Sequence, residues 1–254
     1  HGGGIGHDDL DEILIRSSAA AQRTWQGCGT FTLVDLDVSY QAKGATPATL
    51  TCTACTDSLN NTGWTFAAGP AIKSWDGGGT DATCGGLAGD GNKWSCAANW
   101  TGDVAPISTD IVVFNGETSV KNCTVDIAAN VAGIHIHSDY TGTITQATGI
   151  TVTVGATGYD QAGGTFTGGN AGMTLNGPWT LSGGTFNAGS QTITTDRNWT
   201  YTAGTFVAQT STVSFSTAVN NQTSTITGSI TFNHLTFNTV DTAAGYTVTI
   251  ASGT

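Results

Sequence analysis

The chain has 254 residues and a net charge of −11, from 18 acidic and 7 basic side chains. That acidic balance argues against nucleic acid or an anionic membrane surface as partner, and no apolar run is long enough to insert in a membrane as a helix. Only 10% of residues are charged, whereas Thr occurs 47 times and Gly 36 times, so hydroxyls and amides must carry solubility while branched Thr favours strands and Gly favours turns.

The chain opens on His1 rather than Met, as a processed chain or an excerpt would, and shows no signal-peptide pattern. His1-Gly2-Gly3-Gly4 matches an esterase oxyanion loop, but that chemistry needs a G-x-S-x-G elbow, which the sequence lacks. Ile13-Leu14-Ile15 is an apolar run after a polar start. It reads as an assembly strand that could add to a neighbouring subunit, and it sets residues 1–23 apart as an N-terminal segment.

Residues 24–126 form a Cys- and Trp-rich β region. It holds Trp25, Trp64, Trp75, Trp94 and Trp100, and all six cysteines: Cys28, Cys52, Cys55, Cys84, Cys96 and Cys123. An even cysteine count in a Thr/Gly-rich chain points to an oxidising compartment. Only Cys84–Cys96 is assigned as a disulfide, because it closes a Gly-rich loop. The pairing of Cys28, Cys52, Cys55 and Cys123 stays open. Cys52 and Cys55 have CxxC spacing, but no second CxxC and no helical context support a metal or redox motif. Val34-Asp35-Leu36-Asp37-Val38 alternates as one strand would, with its acids on one face. Asp76, Asp81 and Asp90 sit among glycines and are candidate Ca²⁺ ligands, although EF-hand spacing is missing. Trp75, Trp94 and Trp100 are candidate sugar-stacking platforms.

Residues 127–254 are nearly uncharged. After Tyr140 only Asp160, Asp196, Arg197 and Asp241 carry charge, and no helix of three turns is evident. Aligning 159–178, 179–198 and 199–218 brings Tyr159, Trp179 and Trp199 into register. Gly164, Gly184 and Gly204 also align, as do Phe166, Phe186 and Phe206, and then Met173, Ile193 and Val213. A unit of about 20 residues with three short strands and three corners is one coil of a parallel β-helix. The fold expected is therefore all-β: a β-solenoid with coils of about 20 residues, preceded by the disulfide- and Trp-rich region. Glycine supplies the corner, Phe fills the coil, and Thr, Ser and Asn ladders lie outside. The spacing loosens toward Leu235-Thr236-Phe237.

Lys93-Trp94-Ser95-Cys96-Ala97-Ala98-Asn99-Trp100-Thr101-Gly102, then Pro106, then Asp110-Ile111-Val112-Val113-Phe114, is a distinctive run. It resembles the W-x-x-x-x-N-W…P…D-x-V-x-F segment of large bacterial secreted and cell-surface proteins, autotransporter-passenger-like or adhesin-like Thr/Gly-rich β-helical repeat proteins. In that class the segment precedes stacked coils. The resemblance implies an extracellular structural or adhesive protein and supplies no catalytic residues.

Alternation puts His135 and His137 on one face of a strand, where Asp139 or His234 could complete a metal site. Asn-x-Thr sequons at Asn60, Asn99, Asn122, Asn198 and Asn221 are candidate glycosylation sites. Polysaccharide lyases and hydrolases need clustered acids, which the acid-poor repeat does not offer, so no catalytic residue and no cofactor is assigned. The function expected is a subunit of an extracellular, cell-surface filament that assembles head to tail with itself. An adhesin or carbohydrate-binding module, with glycans as partners, is the rival reading, and a polysaccharide-cleaving enzyme the third.

Overall fold

A computed structural model of the chain describes residues 13–27, 31, 33–34, 36–46, 49–53, 55–67, 71–217, 223–239 and 247–251. His1–Gly4, Cys28, Asn221 and Asp241 lie outside them. The chain divides into two compact units, His1–Ala71 and Ile72–Thr254. The boundary falls inside the region 24–126 rather than at its ends. Every described strand pair is parallel. The pairs make a β-solenoid of about 10 coils, about 22 residues apart. Among the described residues the helical segments are two 3₁₀ turns, Asp90–Asn92 and Ala97–Asn99.

The N-terminal unit contains β1 (Ile13–Arg16), β2 (Arg23–Trp25), β3 (Leu33–Val34), β4 (Leu36–Ser39), β5 (Gln41–Lys43), β6 (Leu50–Thr53), β7 (Thr56–Asp57) and β8 (Trp64–Ala67). They stack as β1-β4-β7, β2-β5 and β3-β6-β8, one sheet per face of the coil. Leu36, Val38 and Cys52 are buried inside, with Ile15, Leu33, Trp64 and Phe66 packed on them. The alternating run 34–38 is not one strand. Val34 pairs with Thr53 and Leu36 with Ile13, so its two ends belong to different sheets. Ile13–Arg16 pairs with Leu36–Ser39 of its own chain, so β1 is a rung of this unit and not a detached arm.

The C-terminal unit begins with β9 (Ile72–Ser74), β10 (Ile111–Phe114), β11 (Cys123–Val125), β12 (Ala129–Ile136), β13 (Thr143–Gln146) and β14 (Val152–Gln161). The regular coils follow as β15 (Thr165–Thr167), β16 (Met173–Leu175), β17 (Trp179–Leu181), β18 (Thr185–Asn187), β19 (Thr192–Thr195), β20 (Trp199–Tyr201), β21 (Thr205–Val207), β22 (Thr212–Thr217), β23 (Thr223–Thr227), β24 (His234–Thr239) and β25 (Thr247–Ala251). Coils thus start before residue 127, because β10 already pairs with β12.

The repeat sits in the expected register. Tyr159 faces Trp179 and Trp179 faces Trp199. Phe166, Phe186 and Phe206 align, as do Met173, Ile193 and Val213. The rings stack: Trp179 and Trp199 lie 3.9 Å apart at 18°, Phe166 and Phe186 5.0 Å apart at 17°, and Phe186 and Phe206 5.8 Å apart at 10°. One coil has no second layer to cover its interior, so each rung is buried by the next. At the corner, Gly164, Gly184 and Gly204 have φ of +55°, +66° and +90°. The next residue donates across the rungs, Thr185 N–H to Gly164 O and Thr205 N–H to Gly184 O, both at 2.9 Å. Glycine is required there by its conformation and by the close backbone of the preceding coil.

Candidate functional site

The Cys/Trp segment builds an interior, not a surface. Trp75, Trp94 and Trp100 are 0%, 2% and 0% exposed and belong to the unit's main core. Trp94 and Trp100 meet edge to face at 4.7 Å, Trp75 and Trp100 at 5.1 Å. Trp100 Nε1 donates to Trp94 O at 2.7 Å, and Trp75 Nε1 to Lys121 O at 3.0 Å. The sugar-stacking expectation for these three is thereby overturned: indoles buried on both faces offer no platform. They pack with Phe114 and Tyr140 as part of the solenoid core. Burial pushes the Tyr140 phenol well above its ordinary value, and its hydroxyl donates to Lys121 O at 2.7 Å.

Cys84 and Cys96 form the expected disulfide. Cys52 and Cys55 form another across the CxxC, so neither is a described metal ligand. Cys123 is a free, buried thiol, and burial raises its pKa well above the ordinary thiol value.

The Ca²⁺ candidates organise turns instead of converging. Asp76 Oδ1 accepts from Gly78 N–H at 2.9 Å. Asp81 Oδ1 accepts from Gly89 and Gly91 N–H at 3.1 and 2.8 Å. Asp90 pairs with Lys93 at 2.5 Å and accepts from Leu87 N–H at 3.0 Å. The Lys93 hydrogen bond and then the Leu87 amide hold its carboxyl below the usual range. Two acids outside the candidate set do comparable work. Asp126 accepts from Ser95 N–H and Oγ–H at 2.9 and 2.6 Å, and Asp110 from Ile107 N–H at 2.9 Å. A carboxylate three residues after a turn amide signals Asp110, while nothing local signals Asp126, which reaches 31 residues back.

His135 lies on β12 opposite Asp160 on β14. Burial lowers its pKa, the Asp160 carboxylate opposes that shift, and His137 adds to it. His137, Asp139 and His234 are exposed. Among the described residues no group of three or more His, Cys, Asp or Glu gathers as a metal site would require.

The sequons separate by geometry. Asn99 is 0% exposed; its Oδ1 accepts from Gly79 N–H and its Nδ2 donates to Lys93 O, at 2.8 and 2.9 Å. That removes Asn99 from the glycosylation candidates, since its amide nitrogen is enclosed. Asn60, Asn122 and Asn198 are exposed. Asn122 Oδ1 accepts from Thr143 N–H and Asn198 Oδ1 from Thr225 N–H, at 2.9 and 3.0 Å, each bracing the next coil.

Set against family models, curated proteins and solved structures, the chain finds no match in any of the three comparisons. No helix among the described residues is long and apolar enough to cross a membrane. The two disulfides point to a setting outside the reducing cytosol.

Proposed function

We propose that the chain is an extracellular structural protein, a subunit of a bacterial cell-surface filament assembled head to tail. The carrying observation is the unpaired edge of the parallel stack at β24 and β25. The sheet faces run parallel throughout, and β24 and β25 are hydrogen-bonded on one side only among the described residues. A strand edge of that kind must be capped or joined, and a joint between unlike edges propagates instead of closing. The disulfides support an extracellular setting, and the resemblance of Trp94–Phe114 to secreted β-helical proteins supports the bacterial surface. A glycan-binding module has lost its proposed Trp platforms, and the described carboxylates of the 76–90 loops are engaged by backbone amides or Lys93.

Electron microscopy across a concentration series tests the proposal. Fibres that lengthen with concentration are expected, and a monomer at every concentration counts against it. Removing residues 1–20 deletes β1 and is expected to abolish assembly; fibres of normal length from the truncated chain would speak against head-to-tail stacking. A glycan array on the monomer checks the rival module.

A further inference from the structure

Four of the five sequons, at Asn60, Asn99, Asn122 and Asn198, lie among the described residues, and their geometry sorts them. An N-linked sugar asks two things of the chain: an Asn amide nitrogen open to solvent, and a Thr hydroxyl two residues on that is free to be recognised. Asn99 fails both. Its enclosed Nδ2 donates to Lys93 O, and the Thr101 hydroxyl accepts from Ser74 N–H at 3.1 Å. Asn60 is exposed, but it sits at φ +61°, and the Thr62 hydroxyl accepts from Gln22 Nε2 at 2.7 Å.

Asn122 and Asn198 meet both requirements. Each stands one residue before a strand, β11 and β20, and each is followed by a core residue, Cys123 at 1% and Trp199 at 0% exposed. Strand alternation then sets Asn and Thr on the outer face, on either side of the buried residue. Thr124 and Thr200 are half-exposed, and neither hydroxyl has a hydrogen-bond partner among the described residues.

The two amides are also oriented alike. Asn122 Oδ1 faces Thr143 N–H, and Asn198 Oδ1 faces Thr225 N–H. A backbone N–H only donates, so the atom facing it must be the oxygen, and the nitrogen is directed off the joint. Neither Nδ2 has a partner among the described residues. A sugar on Nδ2 leaves Oδ1 as an acceptor, so the brace to the next coil survives the modification. The two disulfides add the setting, since they place the chain outside the reducing cytosol, where secreted proteins receive such sugars.

We propose that Asn122 and Asn198 carry N-linked glycans. The transfer joins Asn Nδ2 to the anomeric carbon of a sugar supplied as a lipid-linked glycosyl diphosphate. The bond from that carbon to the diphosphate oxygen breaks, the diphosphate departs with the electron pair, and one Nδ2 proton passes to a base of the transferase. The proposal stands apart from the filament reading, because it holds for a monomer as for a fibre.

Glycopeptide mass spectrometry tests it on protein purified from the cells that make it. Fragmentation that keeps the sugar attached is expected to place hexose-type residues on Asn122 and on Asn198 and to leave Asn99 bare. A bare Asn122 or a bare Asn198 overturns the assignment, as does sugar on Thr side chains alone. Sugar on Asn99 overturns the geometric selection. A second arm uses Thr200→Val, which keeps the branched shape that suits a strand and removes the hydroxyl. The melting temperature should hold, and the sugar on Asn198 should be lost while Asn122 keeps its own. Unchanged occupancy at Asn198 in that variant overturns the proposal.

Discussion

Gly184 occupies the middle of the corner column, at φ +66°, and a Cβ there would run into the carbonyl of Gly163. Gly184→Ala is expected to cost about 1–3 kcal/mol from backbone conformation alone, read as a lower midpoint in urea unfolding of the monomer. Two buried glutamines make a sharper contrast. Gln161 accepts from Tyr159 Oη–H at 2.8 Å and donates to Gly163 O and Thr185 O, both at 3.0 Å. Gln191 is equally buried, but neither of its amide atoms has a hydrogen-bond partner. Replacing Gln161 with Met should therefore destabilise by about 1–3 kcal/mol, whereas Gln191→Met should be neutral or stabilising. Equal losses from both would contradict the assignment. His135 supplies a pH dependence. Its folded pKa lies below the ordinary 6.5, so the unfolded chain binds the proton more readily and stability falls as pH drops through and below 6.5. His135→Gln should flatten that slope in melting temperatures taken between about pH 5 and 7.

At the scale of elements, periodicity carried much of the fold. The 20-residue register of Trp179 with Trp199 and Phe186 with Phe206 was legible because every rung repeats the same inward residue type. Where coils vary in width, alternation alone could not find the corners, and 34–38 read as one strand although it spans two sheets. Trp75, Trp94 and Trp100 were legible as important but not as interior, since an unrepeated aromatic lacks a register to reveal its direction. The same holds for Asn99, whose sequon is a surface signal contradicted only by its packing. Cys52–Cys55 is not legible from spacing, because closing so short a separation depends on the local turn. Cys123 gives this scale its prediction. Cys123 lies in β11 in register with Ile144 of β13, its thiol buried and held protonated. A neutral-pH thiol reagent should leave Cys123 unmodified in the native protein and label it once denaturant is added, as read by mass spectrometry of its peptide.

For the whole molecule, the charge of −11 bears on self-association. Like copies repel, and no strong basic excess offsets this, since the chain has only 7 Lys and Arg. The proposed assembly, if joined by strand edges and not by ion pairs, should therefore speed up as salt rises, because screening shortens the repulsion to about 8 Å at physiological ionic strength. Light-scattering time courses at graded salt check this; slower assembly at higher salt would indicate an ion-paired joint. The division at Ala71/Ile72 was not legible in composition, since cysteines, tryptophans and Gly-rich loops continue across it.

The shared register of the three columns has a consequence for length. Because positions 20 apart are equivalent in fold, Trp179 through Asn198 is a removable storey. Its excision sets Trp199 against Tyr159, Phe206 against Phe166 and Val213 against Met173, each the partner type it already has. Such a chain should fold one strand spacing shorter, by about 4.8 Å, whereas cutting out only Trp179–Ala188 would put Gly189 in the place of Trp179 and Asp196 in that of Phe186. Growth and shrinkage by whole storeys gives this architecture a ruler whose unit is written in its own sequence.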